Sequence, residues 1–167
     1  MRDKLTRSDI KKMQEEIEYR EFTLRPKLLE SVKEARSHGD LSENFEYHAA
    51  KKEKNINESR IRYLERMIKS AVLIDDSSKE DEVGINNRVR IYFEEDDEEE
   101  EFKLVTTVRT NSLKGLISIE SPLGKAIFKK KLGDRVLVKV SEEISYYVVI
   151  KDIDNSTDDS MDEINRY

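Results

Sequence analysis

The sequence predicts an α+β protein in which a long antiparallel α-helical coiled-coil hairpin is followed by a small antiparallel sheet with one short helix. Apolar residues recur at helical intervals in the first half and at intervals of two after Gly84. Charged residues make up 41% of the chain and hydrophobic ones 36%, the balance of a narrow apolar seam flanked by solvated charge rather than of one large core. Gly39 is the only glycine before Gly84, and it marks where one helix stops and another starts.

The first helix carries Ile10, Met13, Ile17, Leu24, Leu28, Val32 and Ala35 on its apolar face and ends near His38. Gly39 supplies the stop, because a glycine just past the last periodic residue readily adopts the left-handed conformation that closes a helix. Pro26 removes a backbone donor and crowds the carbonyl of Phe22, which predicts a kink or short break there. The second helix runs on from Asp40 without Gly or Pro, with a stripe at Ala49, Ile56, Tyr63 and Met67 flanked by Leu64, Ile68 and Ala71. At 1.5 Å per residue two such helices make a hairpin about 45 Å long, and its tip is GDLSEN.

The segment DDSSKEDEVG, residues 75–84, reads as a polar linker. Beyond it, NRVRIYF, FKLVTTVRT, GLISIES, DRVLVKV and SYYVVIKDI are strand patterns separated by turn signals. SPLGKAIFKK, with Ser121 as N-cap and Pro122 in the first helical position, predicts a short helix against the sheet. The acidic run from Glu94 to Glu101 reads as a solvated hairpin loop. The expected domains are residues 1–76 and 84–153, with residues 154–167 a polar, poorly ordered tail.

Composition excludes several classes. There is no cysteine, hence no disulfide and no thiolate metal site, which suits a reducing compartment. MRDKLTRSDI has no apolar signal region and no segment approaches the run of about 20 apolar residues that a membrane span needs, so a cytoplasmic protein without membrane contact is expected. The net charge is −6; residues 1–75 carry 17 basic and 15 acidic side chains, leaving 14 and 22 for the rest. An acidic total argues against coating duplex DNA, while the first half still has the charge to touch a phosphate backbone locally. No G-x-x-x-x-G-K, G-x-S-x-G or G-x-G-x-x-G pattern is present, so nothing indicates a stand-alone nucleotide-binding or hydrolytic enzyme.

Two readings of the tip stay open on spacing alone. Asp40 and, three residues later, Glu43 form a capping-box pattern for the second helix. The same pair offers hard oxygen ligands to Mg²⁺, which takes one or two protein carboxylates and fills the rest of its shell from elsewhere. His38 and His48 lack the spacing of a zinc site. Lys33, Arg36, Lys51, Lys52 and Lys54 flank the tip, either as phosphate contacts or as ordinary solvating charge.

The stretch RPKLLESVKEARSHGDLSENFEYHAAKKEK, continued by SRIRYLERMIKSAVLID, resembles the coiled-coil domain of bacterial transcript-cleavage factors of the Gre family. SPLGKAIFKKKLGDRVLVKV resembles that family's FKBP-like C-terminal domain. The resemblance implies a cytoplasmic, monomeric transcription elongation factor that is not itself an enzyme. It would dock on RNA polymerase, insert its tip through the secondary channel and stimulate cleavage of backtracked RNA by the polymerase. Asp40 and Glu43 match the acidic tip positions, where they would help hold a Mg²⁺ shared with the polymerase and bound only weakly by the isolated protein. Gly39, Leu41, Ser42, Asn44 and Tyr47 would support the tip, and Lys33, Arg36, Lys51 and Lys52 would contact the nascent RNA 3′ end. Phe45 departs from the small residue usual there. A Gre-like inhibitor that occupies the channel without promoting cleavage, and a structural coiled-coil module with no polymerase role, are the alternatives.

Overall fold

Helical periodicity in the first half yields three α-helices: α1 (Arg7–Glu18), α2 (Arg25–Ser37) and α3 (Phe45–Ser70). The computed structural model describes residues 2–38 and 44–166. It divides the chain into one unit of residues 9–71 with Arg2 and Arg166, and another of residues 3–8 with 72–165.

Between α1 and α2, where Pro26 predicts a kink or short break, the chain forms a π-helical stretch, Tyr19–Leu24. Pro26 has no N–H to offer the carbonyl of Phe22, and the turn just upstream is widened instead: the Arg25 N–H donates to the Arg20 carbonyl, five residues back. Glu18, Leu24 and Arg25 all keep right-handed helical dihedrals, so the helical path is not broken. Asn57 of α3 completes this arrangement. Its Nδ2 donates to the Arg20 carbonyl at 3.3 Å and its Oδ1 accepts from Arg20 Nη1 at 3.0 Å.

A polar network surrounds that point. The Glu16 carboxylate accepts from Arg20 Nε at 2.7 Å and from Arg60 Nε at 2.7 Å. Arg25 and Glu58 pair through two hydrogen bonds of 2.7 and 2.8 Å. On α3 the buried side is therefore Asn57, Arg60, Ile61 and Leu64, whereas Ala49 and Ile56 of the expected stripe are exposed. An apolar pattern cannot reveal a seam built partly from Asn and Arg, which is why the sequence reading is offset here.

The second unit is organised by a five-stranded sheet in the order β5-β4-β3-β7-β6. The strands are β3 (Arg88–Phe93), β4 (Glu98–Val105), β5 (Leu116–Ser118), β6 (Arg135–Lys139) and β7 (Ser145–Asp154). Neighbours are antiparallel except at one edge, where β5 runs parallel to β4. Two short 3₁₀ turns, Thr107–Arg109 and Ser112–Lys114, provide the crossover that a parallel neighbour requires. One face buries Val89, Ile91, Leu104, Val138, Val148 and Ile150.

Helix α4 (Pro122–Ile127) covers this core through Ile127, and Ser121 caps it by accepting the Gly124 N–H at 3.1 Å, as the sequence predicts. Gly124 is required because a Cβ there would lie 1.9 Å from the Ser118 carbonyl oxygen. Two pairs of residues too short to read from sequence, β1 (Lys4–Leu5) and β2 (Val72–Leu73), pair in parallel and bury Leu5.

Three stretches differ from the sequence reading. Glu98 to Glu101 belong to β4 rather than to a loop, so the β3–β4 turn is confined to residues 94–97. Arg90 reaches Glu99 at 3.8 Å and Arg88 reaches Glu101 at 3.5 Å, cross-strand pairs that relieve the repulsion of a glutamate strand. Val83, in the segment read as a linker, is fully buried in the sheet's core. Residues 155–165 carry no helix or strand, yet Thr157, Asp162 and Asn165 make specific contacts with the second unit.

Candidate functional site

The candidate site lies where α2 ends and α3 begins. Helix α2 stops at His38, whose N–H donates to the Ala35 carbonyl at 3.3 Å. Asn44 starts α3: its Oδ1 accepts the Tyr47 N–H at 3.0 Å, and its Nδ2 donates to the Ala35 carbonyl at 2.6 Å. One side chain thus caps the second helix and ties it to the last turn of the first. Asn44 is the N-cap of α3, and the capping role that spacing offers Asp40 and Glu43 falls on residues outside those described. Gly39, Asp40, Leu41, Ser42 and Glu43 lie outside the described residues.

Tyr47 makes the second link across the hairpin. Arg36 Nη2 donates to its hydroxyl at 3.2 Å, and the guanidinium carbon sits 5.3 Å from the ring centroid. The Arg36 hydrogen bond and charge hold the Tyr47 hydroxyl below its usual pKa, with smaller contributions from Lys51 and Lys54. Those two lysines lie four and seven residues beyond Tyr47, on its face of the helix. The structure therefore gathers Arg36, Lys51 and Lys54 around Tyr47.

Lys33, Arg36, Lys51 and Lys52 are all exposed, but Lys52, five residues beyond Tyr47, points away from that group. His38 Nδ1 approaches Glu46 at 3.4 Å, a solvent-exposed contact. Among the described residues there is no group of three or more His, Cys, Asp or Glu side chains arranged to hold a metal ion. No described helix is long and apolar enough to cross a membrane.

Two family models match the chain: transcription elongation factor, N-terminal, over residues 4–73, and transcription elongation factor, GreA/GreB, C-terminal, over residues 77–155. The chain belongs to the GreA/GreB family of transcription elongation factors. It is 44% identical to transcription elongation factor GreA of Thermoanaerobacter pseudethanolicus over 81% of this chain and 87% of that one. To transcription elongation factor GreA of Clostridium acetobutylicum it is 39% identical over 87% and 93%. The crystal structure of GreA factor homolog 1 of Thermus thermophilus covers 92% of this chain and 99% of that one at 23% identity, with a TM-score of 0.43. A GreA-family factor stimulates the cleavage activity intrinsic to RNA polymerase and is not the catalyst. The resemblance marks Asn44 and Tyr47 of this Gre hairpin only as tip support, because neither a cap that also reaches back to the preceding helix nor Arg stacking across a turn has a periodic signature.

Proposed function

We propose that this chain stimulates cleavage of backtracked RNA by presenting Asp40 and Glu43 at the RNA polymerase active site through the secondary channel, while its second unit docks on the polymerase surface. The observation that carries this reading is the cap. Asn44 fills the N-cap position of α3, the position that spacing alone offers to Asp40, and this favours the metal reading of the Asp40 and Glu43 pair over the capping one.

Their chemistry fits Mg²⁺, which takes one or two protein carboxylates and leaves its other positions to ligands from elsewhere. When bound, the ion supplies a Lewis acid and a water of lowered pKa for phosphoryl chemistry. Asp40 and Glu43 contribute anionic oxygens to it, and Asn44 and Tyr47 fix the helix ends that carry them. Arg36, Lys51 and Lys54 offer cations to the phosphates of the nascent RNA 3′ segment, a contact that positions without reading sequence. The protein acts as a monomer in this reading, and holds no metal tightly away from the polymerase.

The test is cleavage of a stalled, backtracked elongation complex. Asp40→Asn and Glu43→Gln remove anionic oxygens without large changes of shape. Each is expected to abolish stimulated cleavage while leaving thermal unfolding within about 1 kcal/mol of wild type. Full stimulation by the double variant would eliminate the carboxylate role.

A further inference from the structure

The family models end at residue 155, and beyond it the tail of this chain fills a charged site on the second unit. Asp162 sets its carboxylate against two cations: Lys103 Nζ lies 3.1 and 3.0 Å from its oxygens and Arg109 Nη1 lies 2.8 Å away. The side chains of Lys103, Arg109 and Asp162 are 6%, 0% and 6% exposed. Two cations held this close together out of water need an anion between them.

Both cations are positioned by elements other than the tail. Lys103 stands on β4, paired on one side with Arg88 of β3 and on the other with Leu116 of β5. Arg109 closes a 3₁₀ turn, and its Nη1 donates to Asn86 Oδ1 at 2.7 Å while its Nε donates to Thr106 Oγ1 at 3.3 Å. The receptor half is thus preorganised, which lowers the ordering cost of binding.

The ligand half is an irregular polar strand. The Thr157 hydroxyl donates to the Asn86 carbonyl, and Lys103 Nζ donates to the Asp158 carbonyl. The Asn165 N–H donates to the Val108 carbonyl at 2.7 Å, and Asn165 Nδ2 to the Thr107 carbonyl at 3.3 Å. Among its described residues no fully buried apolar side chain anchors it: Met161 is 86% exposed and Ile164 only half-buried. Its hold rests on charge and hydrogen bonds, the interactions most open to competition by salt or by another chain.

We propose that Lys103, Arg109 and Asn86 form a binding site for an acidic peptide segment, which the tail occupies as a resident ligand in cis. The pattern recognised is a hydroxyl donor followed by a main-chain carbonyl acceptor, a carboxylate four residues after that acceptor, and an N–H three residues further on. Beside the two cations the site presents the carbonyl oxygens of Asn86 and Val108, which take their donors from the tail, and that of Thr107, which also accepts from the Thr110 hydroxyl. A peptide supplies donors and a carboxylate together, whereas phosphate groups supply acceptors only. An acidic segment of a partner that meets this pattern displaces the tail.

The test uses the full-length chain and a labelled peptide of residues 155–167. In wild type the tethered tail competes at an effective concentration of the order of millimolar, so micromolar peptide binds poorly. Asp162→Asn in the chain weakens the tail's hold without altering either cation, and should raise peptide affinity at least about tenfold. Asn165→Ala is a second, milder route to the same release. Binding should fall when the peptide itself carries Asp162→Asn, when Lys103→Gln is added to the chain, and as salt rises. A cooperative thermal transition in each variant shows that the sheet is folded. Equal affinity of wild type and both loosened variants, or equal binding of the Asn-bearing peptide, overturns the proposal. Displacement of the peptide by a single-stranded RNA oligonucleotide at the concentration where unlabelled peptide displaces it also overturns it, in favour of a phosphate site.

Discussion

At the residue scale, Asn44 sets what the tip can do. It satisfies an orphan N–H at the start of α3 and reaches the Ala35 carbonyl of α2, so its two halves act on two helices at once. Asn44→Ala should cost about 1 to 2 kcal/mol, as loss of a cap does. It should also reduce stimulated cleavage more than that loss of stability alone explains, because the helix ends beside Asp40 and Glu43 are no longer tied. Asn44→Asp keeps the acceptor for the Tyr47 N–H but loses the donor to Ala35. It should therefore recover the cap's share of thermal stability but not the share held by the tie to Ala35, and full recovery of cleavage would detach the tie from the activity. The basic residues divide in the same way. Arg36→Gln and Lys51→Gln change the group around Tyr47 and should flatten the salt dependence of cleavage and raise the concentration needed for half-maximal effect. Lys52→Gln, on another face of α3, serves as the internal control: a response equal to that of Arg36→Gln would mean that the charge acts without regard to position.

At the scale of elements, legibility followed the kind of physics that holds each one. Apolar periodicity and Ser121-Pro122 chemistry made α1, α2, α3 and α4 readable, since propensity, capping and burial agree there. The π-helical stretch was not readable: Pro26 says only that a bond is missing, and the remedy depends on Asn57, some thirty residues away on another helix. The glutamate strand is hidden from the sequence for a related reason. Its β-structure rests on cross-strand Arg88 and Arg90, which enter only once the register is known. The hairpin's polar seam predicts two measurable things. Asn57→Ala removes one of two partners from the Arg20 carbonyl and one from its guanidinium and should cost about 1 kcal/mol, whereas an exposed position such as Ile56 should tolerate alanine with little change in melting temperature. Acid should act on the same seam. Burial alone would raise the Glu16 pKa, but hydrogen bonds from Arg60 and Arg20 hold it below the usual value. Asp162 behaves alike, burial being outweighed by Lys103 and Arg109. A folded-state pKa that is depressed contributes stability above the unfolded value and loses it as pH falls through the folded one. Thermal stability should therefore decline below about pH 4, and Glu16→Gln should lower stability at neutral pH while making the acid limb shallower.

At the scale of the whole molecule, the division of labour proposed between hairpin and sheet depends on where the second unit begins. Composition places that boundary near Gly84, where the polar run ends. The unit defined by contacts begins at Val72 and also takes in residues 3–8, because burial of a few apolar residues outweighs the polarity of the chain around them. Val83 is fully buried in the core, and its backbone exchanges hydrogen bonds of 2.8 Å with Lys129 and Lys130. A fragment of residues 84–167 discards that side chain and both bonds, whereas residues 72–167 keep them. The longer fragment should unfold cooperatively and be more stable than the shorter one by about 2 to 4 kcal/mol, the usual loss on emptying a buried apolar position. Both lack Leu5, so neither should reach the stability of the intact unit. If docking resides in the sheet unit, residues 72–167 should compete with the full-length factor for RNA polymerase and suppress its cleavage stimulation, while stimulating nothing themselves. A well-folded 72–167 fragment that fails to compete even in large excess would move the docking surface onto the hairpin, and the tip would then be positioned by the coiled coil alone.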